Sequence, residues 1–176
     1  MICLNICRYL FSNTNCGHSR ALLLDLARKK VFTTYLVVSA GELHTAPEVI
    51  EFTALITELL DTGAEVVLFE PRARFQYDPK KAGVLKQNAK NSVISFSPEL
   101  TKSWGAALAE LRTHPNFKIF DQAQVLLDLG CGRVDCFKGH ATDGHLIYRD
   151  PTHLTDLGAR EVFRRFSAWY LTNRQP

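Results

Sequence analysis

With 176 residues, 46% of them hydrophobic, the chain is long enough for one domain with a substantial core and short for two. Its 21 basic and 18 acidic residues leave a net charge of +3 with the six histidines neutral, too even a balance for the field that a nucleic-acid binder presents, so nucleic acid is not expected as a partner. No apolar run approaches the roughly 20 residues that cross a bilayer. The opening Met1-Ile2-Cys3-Leu4-Asn5-Ile6-Cys7-Arg8-Tyr9-Leu10-Phe11 lacks a basic leader region and a small-residue cleavage site. The chain is therefore expected to be soluble, any export depending on sequence upstream of Met1.

In chain order, Thr34-Tyr35-Leu36-Val37-Val38-Ser39-Ala40 is a short apolar, β-branched run ending at Gly41, as in a buried parallel strand. From Pro47 onward, Val49, Ile50, Phe52, Leu55, Ile56, Leu59 and Leu60 recur three and four apart until Gly63, which predicts an amphipathic helix. Glu65-Val66-Val67-Leu68-Phe69 follows and stops at Pro71. Strand, helix and strand in that order make a parallel βαβ unit and an α/β fold. Residues 72–91 are polar and Lys-rich without a clear period, and read as a surface loop. Ser97 and Pro98 are N-cap and first residue of a helix reaching about Leu111. Residues 117–121 form another strand, and 124–129 a short apolar segment leading to Cys131-Gly132-Arg133-Val134-Asp135-Cys136, whose spacing can close a tight loop. Leu146-Ile147-Tyr148 is read as a strand. Thr155 caps a last helix with Leu154, Leu157, Val162, Phe166, Trp169 and Tyr170 on one stripe and Arg160, Arg164 and Arg165 mostly opposite.

Ligand crevices of parallel sheets lie at the carboxyl ends of the strands. Asp150 and His153 fall in such a loop, where an Asp three residues before a His can accept from the imidazole N–H, fix its tautomer and stabilise the imidazolium. An isolated Asp-x-x-His is common by accident; the surrounding pattern gives it weight. Tyr148-Arg149-Asp150, then Thr152-His153-Leu154-Thr155 and Gly158-Ala159, closely resembles the closing motif of the SGNH domains fused to membrane acyltransferases that O-acylate bacterial surface polysaccharides. In that family a serine usually stands where Thr155 does. The resemblance spans residues 35–169 of a single domain, 1–176, and about its last forty residues are specific.

The resemblance implies a three-layer, doubly wound parallel sheet of the SGNH/flavodoxin-like kind, here expected to lack its first strand. It implies a disulfide between Cys131 and Cys136, as in an oxidising, extracytoplasmic (periplasmic) compartment. Its function would be esterase or O-acyltransferase chemistry, with an acyl donor and a polysaccharide acceptor and a membrane acyltransferase domain as partner. His153 would be the base and Asp150 its orienting acid; no cofactor is implied.

The nucleophile block departs from the pattern. Where the family has Gly-Asp-Ser, the candidate here is Ser19 in Cys16-Gly17-His18-Ser19-Arg20, either a degenerate nucleophile or merely the start of a helix over 20–28. Gly41, in Gly41-Glu42-Leu43-His44, could give an oxyanion N–H, although Glu42 would oppose negative charge if it pointed inward. The chain is accordingly expected to be an O-acyltransferase or esterase domain, inactive in isolation if its nucleophile block is missing and a compact esterase if Ser19 works as a degenerate nucleophile; the alternative is a non-catalytic glycan- or protein-binding remnant. His140, Asp143 and His145 with the two cysteines match no zinc spacing, so no metal is expected. Arg72, Arg74, Lys80 and Lys81 read as solvated.

Overall fold

The computed structural model describes residues 2–5, 14–38, 46–70, 74–75, 78–81, 93–94, 98–133 and 136–173, with side chains over 20–38, 47–70, 75, 78–80, 104–133 and 136–173. The chain divides into two compact units, one of residues 1–70 and 96–120 and the other of residues 71–95 and 121–176.

The first unit is built on a parallel sheet. Strands β1 (Ile2–Asn5), β2 (Thr34–Val38), β3 (Glu65–Phe69) and β6 (Phe117–Phe120) lie side by side in that order, with Tyr35 beside Val66 and Val66 beside Phe117. The βαβ reading of 34–69 therefore holds. Strand β1 precedes them where no strand was assigned from sequence, and no Gly-Asp-Ser turn follows it in the sequence.

Helices α1 (Thr14–Arg28), α2 (Ala46–Asp61) and α3 (Pro98–Leu111) supply the other half of this core. Leu23 and Leu24 of α1, Phe52, Ile56 and Leu59 of α2, and Leu108 and Leu111 of α3 cluster with Tyr35, Val37, Val66 and Leu68, which share one face of the pleat. Leu36 and Val67, on the opposite face, are buried as well. That two-sided burial is why these strands read as continuous apolar runs rather than alternating ones. The α2 helix ends as its spacing predicts, at Gly63 with φ +83, where an L side chain would be strained.

Among its described residues the second unit contains the two-residue strands β4 (Arg74–Phe75) and β5 (Val93–Ile94), paired antiparallel, a 3-10 turn at Pro79–Lys81, and helices α4 (Gln122–Leu129) and α5 (Asp156–Asn173). One sequence expectation is made more specific here and two are corrected. The apolar segment at 124–129 is helical, because the Asp121 side chain accepts from the Gln124 amide and caps a new helix directly after β6. Residues 146–148 form isolated bridges, His140 with Leu146 and Tyr148 with Leu154, since the chain pairs there with its own near neighbours. The stretch from 72 onward is not wholly surface: Phe75 is 2% exposed and packs its ring 5.0 Å from Tyr148 and 5.7 Å from Phe137. A fourth difference is on α5, where Val162, Phe166 and Tyr170 are buried but Leu157 is exposed. Ser97 lies outside the described residues.

Candidate acid-base site

The loop that carries Asp150 and His153 is tied down on both sides. Ahead of it, the amides of Ile147 and Tyr148 both donate to the Gly139 carbonyl, at 2.8 and 3.1 Å. Gly139 has φ +77 and is crowded by Phe75 and Pro79, so a side chain there would meet both strain and contact. Behind it, Thr155 caps α5: its hydroxyl accepts from the Gly158 amide at 3.2 Å and donates back to the Leu146 carbonyl at 2.7 Å. Two further bonds close the loop, Arg149 N–H to the His153 carbonyl at 2.8 Å and Phe75 N–H to the Pro151 carbonyl at 3.0 Å.

Within this frame the turn Asp150-Pro151-Thr152-His153 assembles its own charge pair. Oδ1 of Asp150 accepts from the backbone amides of Thr152 and His153, each at 2.9 Å, and from the Thr152 hydroxyl at 3.2 Å. The His153 ring nitrogen Nδ1 lies 2.9 Å from both Oδ1 and Oδ2. Arg149 Nε stands 3.7 Å from Oδ2. The Thr152 backbone N–H is the main cause that holds the Asp150 carboxyl well below the usual carboxylate range; desolvation opposes it, and the His153 amide and ring reinforce it.

An ionised carboxylate only accepts, so Nδ1 must carry the proton it shares with Asp150. Neutral His153 is thereby fixed as the Nδ1–H tautomer, and Nε2 is the nitrogen left to take a proton. Nε2 has no hydrogen-bond partner among the described residues. The His153 side chain is 61% exposed against 35% for Asp150, so the base is open to a reactant while its orienting acid is half-covered.

The other sequence candidates fall elsewhere. Ser19 lies inside α1, six residues into a helix that starts at Thr14 and not at Arg20. Its position beyond the first four helical residues places its amide in the helical ladder, where it is no oxyanion donor. Ser19 belongs to the first unit and the Asp150–His153 pair to the second. Gly41, with Glu42 and His44, lies outside the described residues. Cys131 and Cys136 form a disulfide with Cα atoms 6.0 Å apart, closing the turn after α4, where Gly130 leaves room for the Phe137 ring. His145 pairs with Asp143 at 3.1 Å on the surface, and His140 Nδ1 sits 3.0 Å from the Lys138 carbonyl. No group of three or more metal-ligating side chains is gathered among the described residues.

Sequence reasoning missed two contributors. The sequence reading gives Thr152 no role of its own, though a hydroxyl next to an Asx-type turn is a legible signal. Phe75 was hidden in a segment without period, and nothing local to it announces a partner at Pro151.

No curated protein matches the sequence. Among solved structures, the periplasmic domain of a lipopolysaccharide acetyltransferase from Salmonella ser. Paratyphi A superimposes with a TM-score of 0.59 at 12% identity, over 86% of this chain and 61% of that one. The chain thus spans about three fifths of that domain's length, and the likeness is one of fold. A second structure, described as "a putative platelet activating factor from Streptococcus pneumonia", matches at 14% identity and a TM-score of 0.48, over 85% of this chain and 67% of that one, too low to argue from. The family model for the SGNH domain (fused to AT3 domains) matches residues 13–168. With nearly the whole chain inside that match, and the Asp-x-x-His turn built as described, the chain belongs to the SGNH domain family.

Proposed function

We propose that Asp150 and His153 are the acid-base pair of a serine-dependent O-acyl transfer or esterase reaction on acyl groups of cell-surface polysaccharide. The observation that carries this reading is the position of His153 Nδ1, 2.9 Å from both oxygens of an anchored carboxylate, with Nε2 open. In the reaction a serine oxygen adds to the acyl carbonyl while Nε2 takes the serine proton; the imidazolium then gives that proton to the departing oxygen, leaving an acyl-serine. A sugar hydroxyl or water next loses its proton to Nε2 and attacks the ester, and the serine oxygen recovers the proton as it leaves. Asp150 holds the tautomer and offsets the imidazolium charge throughout. Ser19 and Gly41 are the chain's candidates for nucleophile and oxyanion donor.

The family's description as fused to AT3 domains supports a membrane acyltransferase domain as partner and an extracytoplasmic setting, with which the Cys131–Cys136 disulfide accords. Among the described residues no helix is long and apolar enough to cross a membrane. A second reading, a glycan- or protein-binding domain without turnover, is favoured by the lack of any Gly-Asp-Ser triplet in the sequence.

Hydrolysis of 4-nitrophenyl acetate by the purified chain, beside His153→Ala and Ser19→Ala, separates these readings. Turnover lost in both variants makes Ser19 the nucleophile, and loss in His153→Ala alone keeps the base and assigns the nucleophile elsewhere. Background rates in the wild type favour the binding domain.

A further inference from the structure

The Asp150 carboxylate has a second side-chain partner besides His153, and its placement is not what a turn alone requires. In the turn, the backbone amides of Thr152 and His153 already anchor Oδ1. The Thr152 hydroxyl adds a third donor to the same oxygen at 3.2 Å, and its oxygen also stands 3.2 Å from His153 Nδ1. Acid, base and hydroxyl thus form a closed triangle: Thr152 Oγ1–H donates to Oδ1, Nδ1–H donates to the carboxylate, and the hydroxyl lone pairs face the Nδ1–H edge of the ring.

We propose that Thr152 is a positioning residue of the pair, which locks the imidazole in the Nδ1–H tautomer by fixing the carboxylate and by offering Nδ1–H a second acceptor. This rests on the reading of Asp150 and His153 as an acid-base pair, but its central claim concerns the ring and can be measured without turnover. Free imidazole side chains exchange between two neutral tautomers, and only one leaves Nε2 unprotonated. With the side chains of His153 and Asp150 61% and 35% exposed, solvent competes for the carboxylate, so one more fixed donor shifts the share of time that the ring is correctly held. The half-buried position of Thr152 keeps that donor from being replaced freely by water.

The test is the nitrogen NMR spectrum of His153 in histidine-labelled protein, for wild type, Thr152→Ser and Thr152→Val, above the imidazole titration. The expected result is one dominant Nδ1–H tautomer in wild type and Thr152→Ser, and a mixture of tautomers with a faster-exchanging Nδ1 proton in Thr152→Val. Wild-type tautomer populations in Thr152→Val, or an equal disturbance by Thr152→Ser, would overturn the proposal, the second because keeping the hydroxyl would then not keep the tautomer. The backbone amide spectrum of each variant identifies any that fails to fold, and Thr152→Ala then replaces Thr152→Val.

Ester hydrolysis on the same samples gives the second readout. A five- to tenfold lower kcat at unchanged KM in Thr152→Val, restored by serine, is the expected companion. An inert wild type with the predicted tautomer pattern would sink the catalytic reading and leave the positioning role of Thr152 standing. An active wild type whose tautomers ignore Thr152 would do the reverse.

Discussion

Of the side chains described, Asp150 has the most displaced ionisation, and the cause is local. Its main support, the Thr152 amide, is a neighbour in the turn, so the folded carboxyl titrates below the ordinary value of about 3.9 that it would have unfolded. A depressed carboxyl contributes stability that is fully present above the unfolded pKa and is lost as pH falls through the folded one. Asp150→Asn keeps an oxygen to accept from the two amides but removes the charge. Circular dichroism of urea unfolding should therefore find the wild type more stable than Asp150→Asn at pH 6, with the gap closing as pH drops below about 3.9. A constant gap down to pH 2 would show that the charge is not what the turn stabilises. The same substitution should cost activity by about 10⁴-fold in kcat if the pair works as in serine triads, since an amide can hold the ring in the wrong tautomer. The surrounding pattern, Tyr148-Arg149-Asp150 with His153-Leu154-Thr155 and Gly158-Ala159, and not the Asp-x-x-His spacing alone, singled out both residues in the sequence. What spacing could not give was the bonding of Oδ1, which accepts from two backbone amides as well as facing the ring nitrogen.

At the scale of elements, the junction between the loop and α5 depends on a close approach that only glycine permits. A Cβ on Gly158 would lie 2.5 Å from the Ile147 carbonyl oxygen, a backbone atom that also accepts the Thr155 amide. Two effects oppose each other in Gly158→Ala. Helix propensity favours alanine by about 1 kcal/mol, whereas overpacking a tight site costs about 1–3 kcal/mol, and a backbone oxygen yields less readily than a side chain. The clash should win. Thermal melts of Gly158→Ala are expected to show a net loss of about 1–2 kcal/mol, where Arg160→Ala, at an exposed position of the same helix, should be near neutral. A stabilised Gly158→Ala would mean that the loop can retreat, and that Ile147 does not fix the entry to α5. The Gly-Ala pair after Thr155 was visible as part of a motif, but its reason was not, because the atom it avoids is eleven residues upstream. Strand 146–148 failed for a related reason: Leu146-Ile147-Tyr148 has strand composition, and Ile147 and Tyr148 are buried, yet their amides are spent on Gly139.

For the molecule as a whole, sequence patterns were reliable where burial is two-sided and continuous, and failed where contacts are made at a distance. Residues 34–38 and 65–69 announced themselves because both faces of the sheet demand apolar side chains, and α2 because one face does. Phe75 did not, since its partners Phe137 and Tyr148 lie more than sixty positions away and no period surrounds it. Strand β1 escaped because its four residues Ile2-Cys3-Leu4-Asn5 are too short to show alternation. That contrast makes a prediction about local stability. Strands β2 and β3 each have a neighbour on both sides, and Leu36, Val67 and Leu68 are at most 2% exposed, so their amides can open only when the sheet itself does. Strand β1 is an edge of the described sheet, bonded on one side alone, and its opening leaves the β2–β3 ladder intact. Native-state hydrogen exchange should give Leu36, Val67 and Leu68 the slowest amides, with opening free energies equal to that of global unfolding, while the β1 amides exchange faster by at least tenfold, a difference of about 1.4 kcal/mol. Equal protection across β1, β2 and β3 would make the four strands one cooperative unit, and would mean that β1 is a full member of the core despite its place at the edge.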